Sequence, residues 1–263
     1  MISNSKSVLV FFACAVLLSC SQSPKALPYG NPVASPEKIL QDMMSFLQYR
    51  ANYVRLYEDF EAVNTASEPI SKENFLKQLA TGEYLPLRLN SSDSTTYYQL
   101  YKITGTVDKE IKQVIKYWGL DEYAYSQVEG KQLPDYKFVD LDGKVYTKQN
   151  TKGKIFILKC WFIACQPCVK EIPELNALKQ QYKNRDDILF VSISWDSKKD
   201  LKKFLSKVDF DYAIVPEQEQ YLEDSLQLNA YPTHFVINKQ GLIAKKVSDF
   251  RGLAYALKKE ASL

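Results

Sequence analysis

Residues 155–175 of the chain read IFILKCWFIACQPCVKEIPEL. An apolar run at 155–162 predicts a buried strand, and the spacing of Val169, Ile172 and Leu175 predicts a helix after it. Cys165 and Cys168 lie between the two, at the start of that helix. Free N–H groups at a helix start favour a thiolate, so we expect Cys165 to be a nucleophile that forms a reversible disulfide with Cys168.

A metal-binding or purely structural cysteine pair is the alternative. A four-ligand zinc site needs a second pair, and beyond residue 20 the chain offers only Cys160 and its single histidine, His234. We therefore favour a redox pair, with no metal site and no cofactor. A net charge of +3 with interspersed acids and bases gives no basic stripe, which argues against nucleic-acid binding.

The N-terminus is typical of an exported protein. Lys6 precedes an apolar run at 8–18, which is too short to span a bilayer but fits a signal peptide. The segment ends in Leu17-Leu18-Ser19-Cys20 and resembles a bacterial lipoprotein signal. This resemblance implies that residues 1–19 are removed and that Cys20 is lipidated, which anchors the protein to a membrane of the cell envelope, facing the periplasm. An ordinary cleaved signal is the alternative, and it also exports the protein.

Residues 20–130 are predicted to form a tether and a mainly helical extension. Residues 20–35 are rich in proline and serine, as expected of a tether. Within the extension, 36–130, an apolar stripe from Ile39 to Phe60 predicts one long helix. Further predictions are a helix capped by Ser71, a hairpin of 84–89 with 97–103, and a helix from 107 that stops at Gly119. The stripe from Ile39 to Phe60 is rich in aromatic residues, and for this aromatic stripe we favour packing against the second domain over a peptide-binding role.

Residues 131–263 alternate between strand and helix patterns. This alternation predicts an α/β domain whose central mixed sheet is covered by helices on both faces. The predicted strands are 137–141, 145–147, 155–162, 188–195, 212–215, 234–238 and 242–247, and helices are predicted at 200–208, at 221–228 and at the C-terminus.

This second domain resembles the thioredoxin fold, and within it the exported TlpA/ResA-like thiol-disulfide oxidoreductases. The resemblance implies dithiol–disulfide exchange through Cys165 and Cys168. It is carried by Leu133-Pro134-Asp135, Asp142-Gly143-Lys144, Cys160-Trp161-Phe162, the C-x-x-C motif, Glu171-Ile172-Pro173 and Tyr231-Pro232-Thr233.

Roles for further residues follow from the resemblance. Pro232 corresponds to the family's cis-proline beside the disulfide, with Tyr231 and Thr233 at the substrate edge. Glu171 corresponds to an acidic residue that, with a raised pKa, would carry a proton for Cys168. An exposed glutamate that only suits the helix dipole is the equal alternative.

Three positions depart from the family pattern. Lys159 stands where thioredoxin has a buried aspartate, and we hypothesise that it reaches Glu171 or the Cys168 sulfur and, with Trp161, tunes the thiol pKa. Cys160 replaces a phenylalanine and is expected to be an inert buried thiol. For His234 we favour a core histidine over one that tunes the site.

The sequence thus predicts a lipid-anchored envelope enzyme that reduces disulfides of exported proteins and is itself reduced by an integral membrane thiol reductant. Two alternatives remain. One is peroxide reduction, although residues 162–165 lack the threonine that peroxiredoxins carry before their cysteine. The other is a metal carrier using the two thiols and His234.

Overall fold

The computed structural model describes residues 28–263. The predicted signal peptide and Cys20 lie outside this range. The described chain forms two parts, and each is built on a five-stranded sheet of its own. No helix within residues 28–263 is both long enough and apolar enough to cross a membrane.

The N-terminal part contains five strands and four helices. Its sheet has the strand order β1-β4-β5-β2-β3. Phe46, Phe75, Tyr98 and Ile111 are fully buried in the core between this sheet and the helices. The elements are β1 (Tyr29–Pro32), α1 (Pro36–Ile39), α2 (Met43–Tyr53), β2 (Glu61–Val63), β3 (Pro69–Ile70), α3 (Lys72–Leu79), β4 (Tyr84–Ser91), β5 (Tyr97–Lys102) and α4 (Lys109–Ser126).

This sheet was only partly predicted. The hairpin of β4 and β5 is confirmed as an antiparallel pair, and helical residues still outnumber strand residues in this part. However, β1, β2 and β3 extend the sheet on both sides of the hairpin. Residues 29–32, which we assigned to the tether, form β1 and pair with β4. Strands of two to four residues are too short to show an alternating pattern, so the sequence did not reveal them.

The predicted long helix over 36–60 is wrong. The chain leaves the helix after Ile39, and α2 begins anew after Asp42, whose side chain accepts a hydrogen bond from the Ser45 N–H at 2.7 Å. The helix then ends at Tyr53, although Phe60 is buried. The apolar spacing therefore reflects burial of successive short elements rather than one continuous helix.

Gly119 does not stop a helix, as we predicted, because α4 continues through it to Ser126. Its role is packing. A Cβ atom at this position would lie 2.6 Å from the backbone nitrogen of Ala80, at the end of α3. The glycine thus allows the backbones of α3 and α4 to approach each other closely.

A Gly119→Ala substitution is therefore expected to destabilise the protein. The new methyl group would meet backbone atoms that cannot move aside without shifting a helix, so the free energy of unfolding should fall by on the order of 3 kcal/mol. Urea unfolding measures this loss. Gly30→Ala is the matched control, because a Cβ there meets nothing within 4 Å, and equal stability of the two variants would contradict the packing role.

The C-terminal part is the predicted mixed sheet between two layers of helices. Its strand order is β10-β9-β8-β11-β12, in which β8, β9 and β10 are parallel and β11 is antiparallel to both neighbours. Each face carries its own apolar core. The elements are β6 (Lys137–Val139), β7 (Val145–Thr147), α5 (Lys148–Thr151), β8 (Ile155–Trp161), α6 (Gln166–Lys170), α7 (Ile172–Gln181), β9 (Ile188–Ser194), α8 (Lys198–Leu205), β10 (Ala213–Val215), a π-helical turn (Tyr221–Ser225), β11 (Thr233–Ile237), β12 (Ile243–Val247) and α9 (Phe250–Ala261).

The two parts meet along α9 and β12. The ring of Tyr57 packs against Tyr255 of α9, and the Tyr255 hydroxyl accepts a hydrogen bond from the Asp59 N–H at 3.1 Å. Lys245 of β12 forms a salt bridge with Glu129 at 3.1 Å. Most of the aromatic stripe is instead buried in the N-terminal core, so only its end contacts the second part.

Candidate active site

Cys165 and Cys168 form a disulfide with an S–S distance of 1.99 Å. Strand β8 ends at Trp161, a three-residue loop follows, and Cys165 is the N-cap residue of α6. Cys165 keeps 6% of its surface exposed, whereas Cys168 has none. An outside molecule therefore reaches only Cys165, in agreement with the predicted nucleophile and its buried partner.

Hydrogen bonds fix the position of this loop, and one of them is donated to the Cys165 sulfur. The Cys168 N–H donates to Cys165 Sγ at 3.3 Å, an arrangement that would favour a thiolate once the disulfide is reduced. Behind the loop, the Ile163 N–H donates to Asp196 Oδ2 at 2.8 Å, and the same oxygen accepts from the Ser194 hydroxyl. We did not predict Asp196 as part of the site, because it is distant from the loop in sequence and only the folded chain brings the two together.

Pro232 lies at the same end of the sheet as the disulfide. Thr233 of β11 pairs with Cys160 of β8, so the preceding Pro232 comes next to the point where β8 runs into the loop. The Tyr231–Pro232 peptide bond is cis, as the resemblance implied. The roles of Tyr231, Pro232 and Thr233 at a substrate edge stay predictions.

Three partly exposed aromatic rings lie beside this end of the sheet. Phe162 stacks on Trp195 with ring centroids 4.2 Å apart, and Tyr231 meets Phe162 edge-on at 5.3 Å. Trp161 is separate from this group: it is fully buried, and its Nε1 donates to the Ser192 hydroxyl at 3.1 Å. Its proposed influence on the thiol pKa stays a prediction.

Lys159 lies in the middle of the sheet, fully buried, and faces the active-site helices. Its Nζ forms a hydrogen-bonded ion pair with Glu171 Oε1 and also donates to the Cys168 carbonyl oxygen at 3.2 Å. The hypothesis that Lys159 reaches Glu171 is therefore confirmed. On the cysteine side, it contacts the backbone rather than the sulfur.

His234 completes this buried polar group. It is opposite Lys159 in the pairing of β11 with β8, and it is fully buried. Its Nε2 lies 3.0 Å from Glu171 Oε1 but is not aligned for a hydrogen bond, and neither ring nitrogen has a hydrogen-bond partner within residues 28–263. His234 is thus a core histidine, as we favoured, but one in contact with the Glu171 carboxylate.

Residues 129–246 match the AhpC/TSA family. Across 118 residues the chain is 27% identical to the thiol-disulfide oxidoreductase ResA of Bacillus cereus, a match that covers 45% of this chain and 68% of that protein. The thioredoxin-like protein YneN of Bacillus subtilis is also 27% identical, over 44% of this chain and 68% of its own length. The C-terminal part is similar to these thiol-disulfide oxidoreductases, and we refer to it as the TlpA/ResA-like domain.

Solved structures match about half of the chain. A putative thiol:disulfide interchange protein DsbE from Chlorobium tepidum is 23% identical, with a TM-score of 0.45 over 51% of this chain and 95% of that one. StoA from Bacillus subtilis is 22% identical, with a TM-score of 0.42 over 49% of this chain and 96% of its own.

Within the TlpA/ResA-like domain, the buried charges set one another's pKa. Burial raises the pKa of Glu171, but His234 and Lys159 lower it more strongly, so that the net direction is downward. The predicted raised pKa is therefore wrong, and so is the exposed alternative, because Glu171 is 7% exposed. Burial lowers the pKa of Lys159 against the opposing effect of Glu171. Glu171 is thus a carboxylate fixed by a lysine.

The third thiol of the TlpA/ResA-like domain takes no part in this site. Cys160 is free and fully buried, and it lies on the opposite face of β8 from Lys159, among apolar side chains. Burial raises the pKa of its thiol well above the ordinary value. An inert role agrees with these surroundings. In the part of the chain that the structure describes, no three His, Cys, Asp or Glu residues cluster as metal ligands would.

Proposed function

We propose that this protein reduces disulfides in other exported proteins from a position anchored in the cell envelope. The observation that carries the chemistry is the asymmetry of the redox pair: Cys165 is open at the edge of the domain, and Cys168 is sealed beneath it. An attacking sulfur that a partner can reach, beside a second sulfur that it cannot, is what stepwise exchange needs.

The reaction has two steps, which begin from the reduced dithiol. The Cys165 thiolate attacks one sulfur of the substrate disulfide, which forms a mixed disulfide and releases the first substrate thiolate. Cys168, deprotonated, then attacks Cys165 Sγ and releases the second. Two electrons have passed to the substrate, and the Cys165–Cys168 disulfide of this structure is the oxidised product.

Substrate binding is assigned to the surface around Cys165. We infer that the substrate chain lies along Tyr231, Pro232 and Thr233, where the loop before β11 reaches the end of β8. The exposed parts of Phe162 and Trp195 flank this position and offer apolar contact to residues beside the substrate cysteine.

The location rests on the N-terminal sequence. The run at 8–18 and the motif that ends in Cys20 support export and a lipid anchor, and the periplasmic side follows from them. In that setting the oxidised pair must be reduced again from outside the protein. An integral membrane thiol reductant is the partner that this cycle calls for.

The deciding experiment challenges the purified full-length protein with three substrates. Dithiothreitol-driven reduction of insulin disulfides is expected to be fast, while peroxide consumption and stoichiometric copper or zinc binding are expected to be absent. Fast peroxide turnover, or one tightly held metal per chain without insulin reduction, would replace the proposal by one of its alternatives.

The direction of electron flow is tested separately by equilibration with glutathione buffers. A reductase is expected to have a reduction potential more negative than that of the glutathione couple, because electrons flow from the lower potential to the higher. A less negative potential would make the protein an oxidant of exported thiols and would contradict the proposed direction.

A further inference from the structure

The second step of this reaction poses a problem of proton transfer. Cys168 must lose its proton before it can attack, since the thiolate is the nucleophile. Yet Cys168 is completely buried, so bulk water does not touch its sulfur. A group inside the protein must therefore take up the proton.

Glu171 is connected to Cys168 through Lys159, whose Nζ binds the Glu171 carboxylate and the Cys168 carbonyl oxygen, but this ion pair makes Glu171 a weak base. One carboxylate oxygen, Oε1, binds Lys159 Nζ and also lies 3.0 Å from His234 Nε2. A cation held against that oxygen disfavours protonation of the carboxylate. Glu171 is thus suited to pass a proton on rather than to keep it.

His234 has the properties of the group that keeps it. Both of its ring nitrogens are without a hydrogen-bond partner in the described chain, so an added proton breaks no existing hydrogen bond. The charged groups that act on it are Glu171 from the junction of α6 and α7, Lys159 from β8 and Asp249 from the start of α9. Two of these three are carboxylates, which favour an imidazolium.

Tyr212 is buried in the same apolar core as Cys168, and its burial, with a smaller contribution from the charge of Glu171, raises the pKa of its phenol. It is therefore a neutral hydroxyl near neutral pH and cannot accept the proton. In the oxidised protein the imidazole is neutral as well, because burial lowers the pKa of His234. The reduced protein differs because the Cys168 sulfur can carry a negative charge, which favours a protonated imidazole.

We propose that His234 acts as a positioning residue in the resolving step. It takes up the proton of Cys168, passed on by the Glu171 carboxylate, and holds it while Cys168 is a thiolate. This inference rests on the proposed function, because it concerns the same dithiol.

The step balances in atoms and electrons. The S–H bond of Cys168 breaks, its proton passes to Glu171 and then to a nitrogen of His234, and the electron pair stays on sulfur. That pair forms the bond to Cys165 Sγ as the substrate sulfur leaves with its own electron pair. Once no charge remains on Cys168, His234 releases the proton through Glu171, which is 7% exposed, to the solvent that protonates the leaving thiolate.

The single histidine of the chain makes a direct test possible. In full-length protein labelled with ¹⁵N-histidine, long-range ¹H–¹⁵N spectra report the protonation of His234 alone. We expect the ring in the oxidised protein to titrate below its ordinary pKa, because it is buried, and after reduction to show a midpoint higher by about one pH unit, the size of a coupled titration. Identical titrations in the two redox states would overturn the proposal.

A reciprocal measurement uses Cys168 itself. In a Cys165→Ser background, the ¹³Cβ shift of Cys168 gives its thiol pKa. His234→Gln, which keeps a donor near Glu171 but cannot hold the proton, is expected to raise that pKa by a similar amount, because coupling between two sites is mutual. Val236→Ala, a fully buried change two residues along the same strand, is the packing control and is expected to leave the thiol pKa unaltered. A shift of equal size in both variants would show a structural effect only and overturn the proposal.

These readouts do not depend on turnover, which separates the two ideas. If insulin reduction fails but the titration of His234 depends on the redox state, the proposed function is wrong and the proton transfer to His234 is supported. If insulin is reduced rapidly and the titration of His234 is the same in both redox states, only the proton transfer to His234 is wrong.

Discussion

A Cys165→Ser variant is expected to reduce insulin at least about a thousandfold more slowly than the parent protein. A serine hydroxyl is far less acidic than a thiol and cannot form the mixed disulfide, and the remaining Cys168 is sealed from the substrate. The measurement is the rate of dithiothreitol-driven insulin precipitation with the chemical background subtracted.

Cys168→Ser tests the other half of the asymmetry. It leaves Cys165 able to attack but removes the sulfur that resolves the mixed disulfide. The expected result is a stable covalent adduct between the variant and a disulfide substrate, visible by non-reducing electrophoresis and lost on reduction. Adducts that form equally well through Cys168 in the Cys165→Ser variant would contradict the assignment of nucleophile and resolving thiol.

Cys160→Ala is the matched control for both variants. It also removes one thiol from the same domain, but the thiol faces the apolar core away from Lys159. Its insulin rate should equal that of the parent, with a loss of unfolding free energy of about 1–2 kcal/mol from the small cavity. A large loss of rate here would mean that the third thiol takes part after all.

The redox pair was predictable from the sequence because its determinants are local. Strand, loop and helix follow one another within residues 155–175, and the position of Cys165 at the helix start depends on that order alone. The spacing of Cys168 from Cys165 then fixes which sulfur is outside. Nothing distant in the chain is needed for either inference.

The group of Lys159, Glu171 and His234 was only partly predictable. Glu171 is near Cys168 in sequence, so its contact with a strand lysine was open to inference. His234 joins them only because β11 pairs with β8 in the register that places it opposite Lys159. A register across more than seventy residues is a property of the folded sheet, and the local pattern around His234 is that of any buried strand residue.

Strands β1, β2 and β3 of the N-terminal sheet were missed for a related reason. Strand β1 is held by pairing with β4, β2 by pairing with β5, and β3 by pairing with β2, rather than by their own composition. Gly119 shows the same limit in a helix, since a glycine that ends a helix and one that lets two helices approach look alike in sequence. Only the position of α3 distinguishes them.

Replacement of Lys159 by methionine is expected to lower the free energy of unfolding by about 3–5 kcal/mol at pH 7, the usual effect of leaving one charge of a buried pair alone. The fully buried ammonium binds Glu171, which is itself 7% exposed, so its loss strands a carboxylate inside the domain. Urea unfolding at a series of pH values measures the effect. Lys77→Met, which breaks an exposed pair with Glu73, should leave stability nearly unchanged.

The loss in Lys159→Met should depend on pH, with a definite sign. In the parent, the pKa of Glu171 is lowered on folding, so its stabilising contribution is present above the unfolded value of 4.5 and declines as pH falls through the folded pKa. Without Lys159, burial should raise the pKa of Glu171, and the variant should lose stability as pH rises. The difference between parent and variant is therefore expected to be largest at neutral pH and to shrink below the unfolded pKa. A constant difference from pH 4 to pH 8 would mean that lost packing, rather than a stranded charge, accounts for it.

The double variant Lys159→Met/Glu171→Leu removes that charge and should recover much of the neutral-pH stability, because an apolar pair of similar volume carries no desolvation penalty.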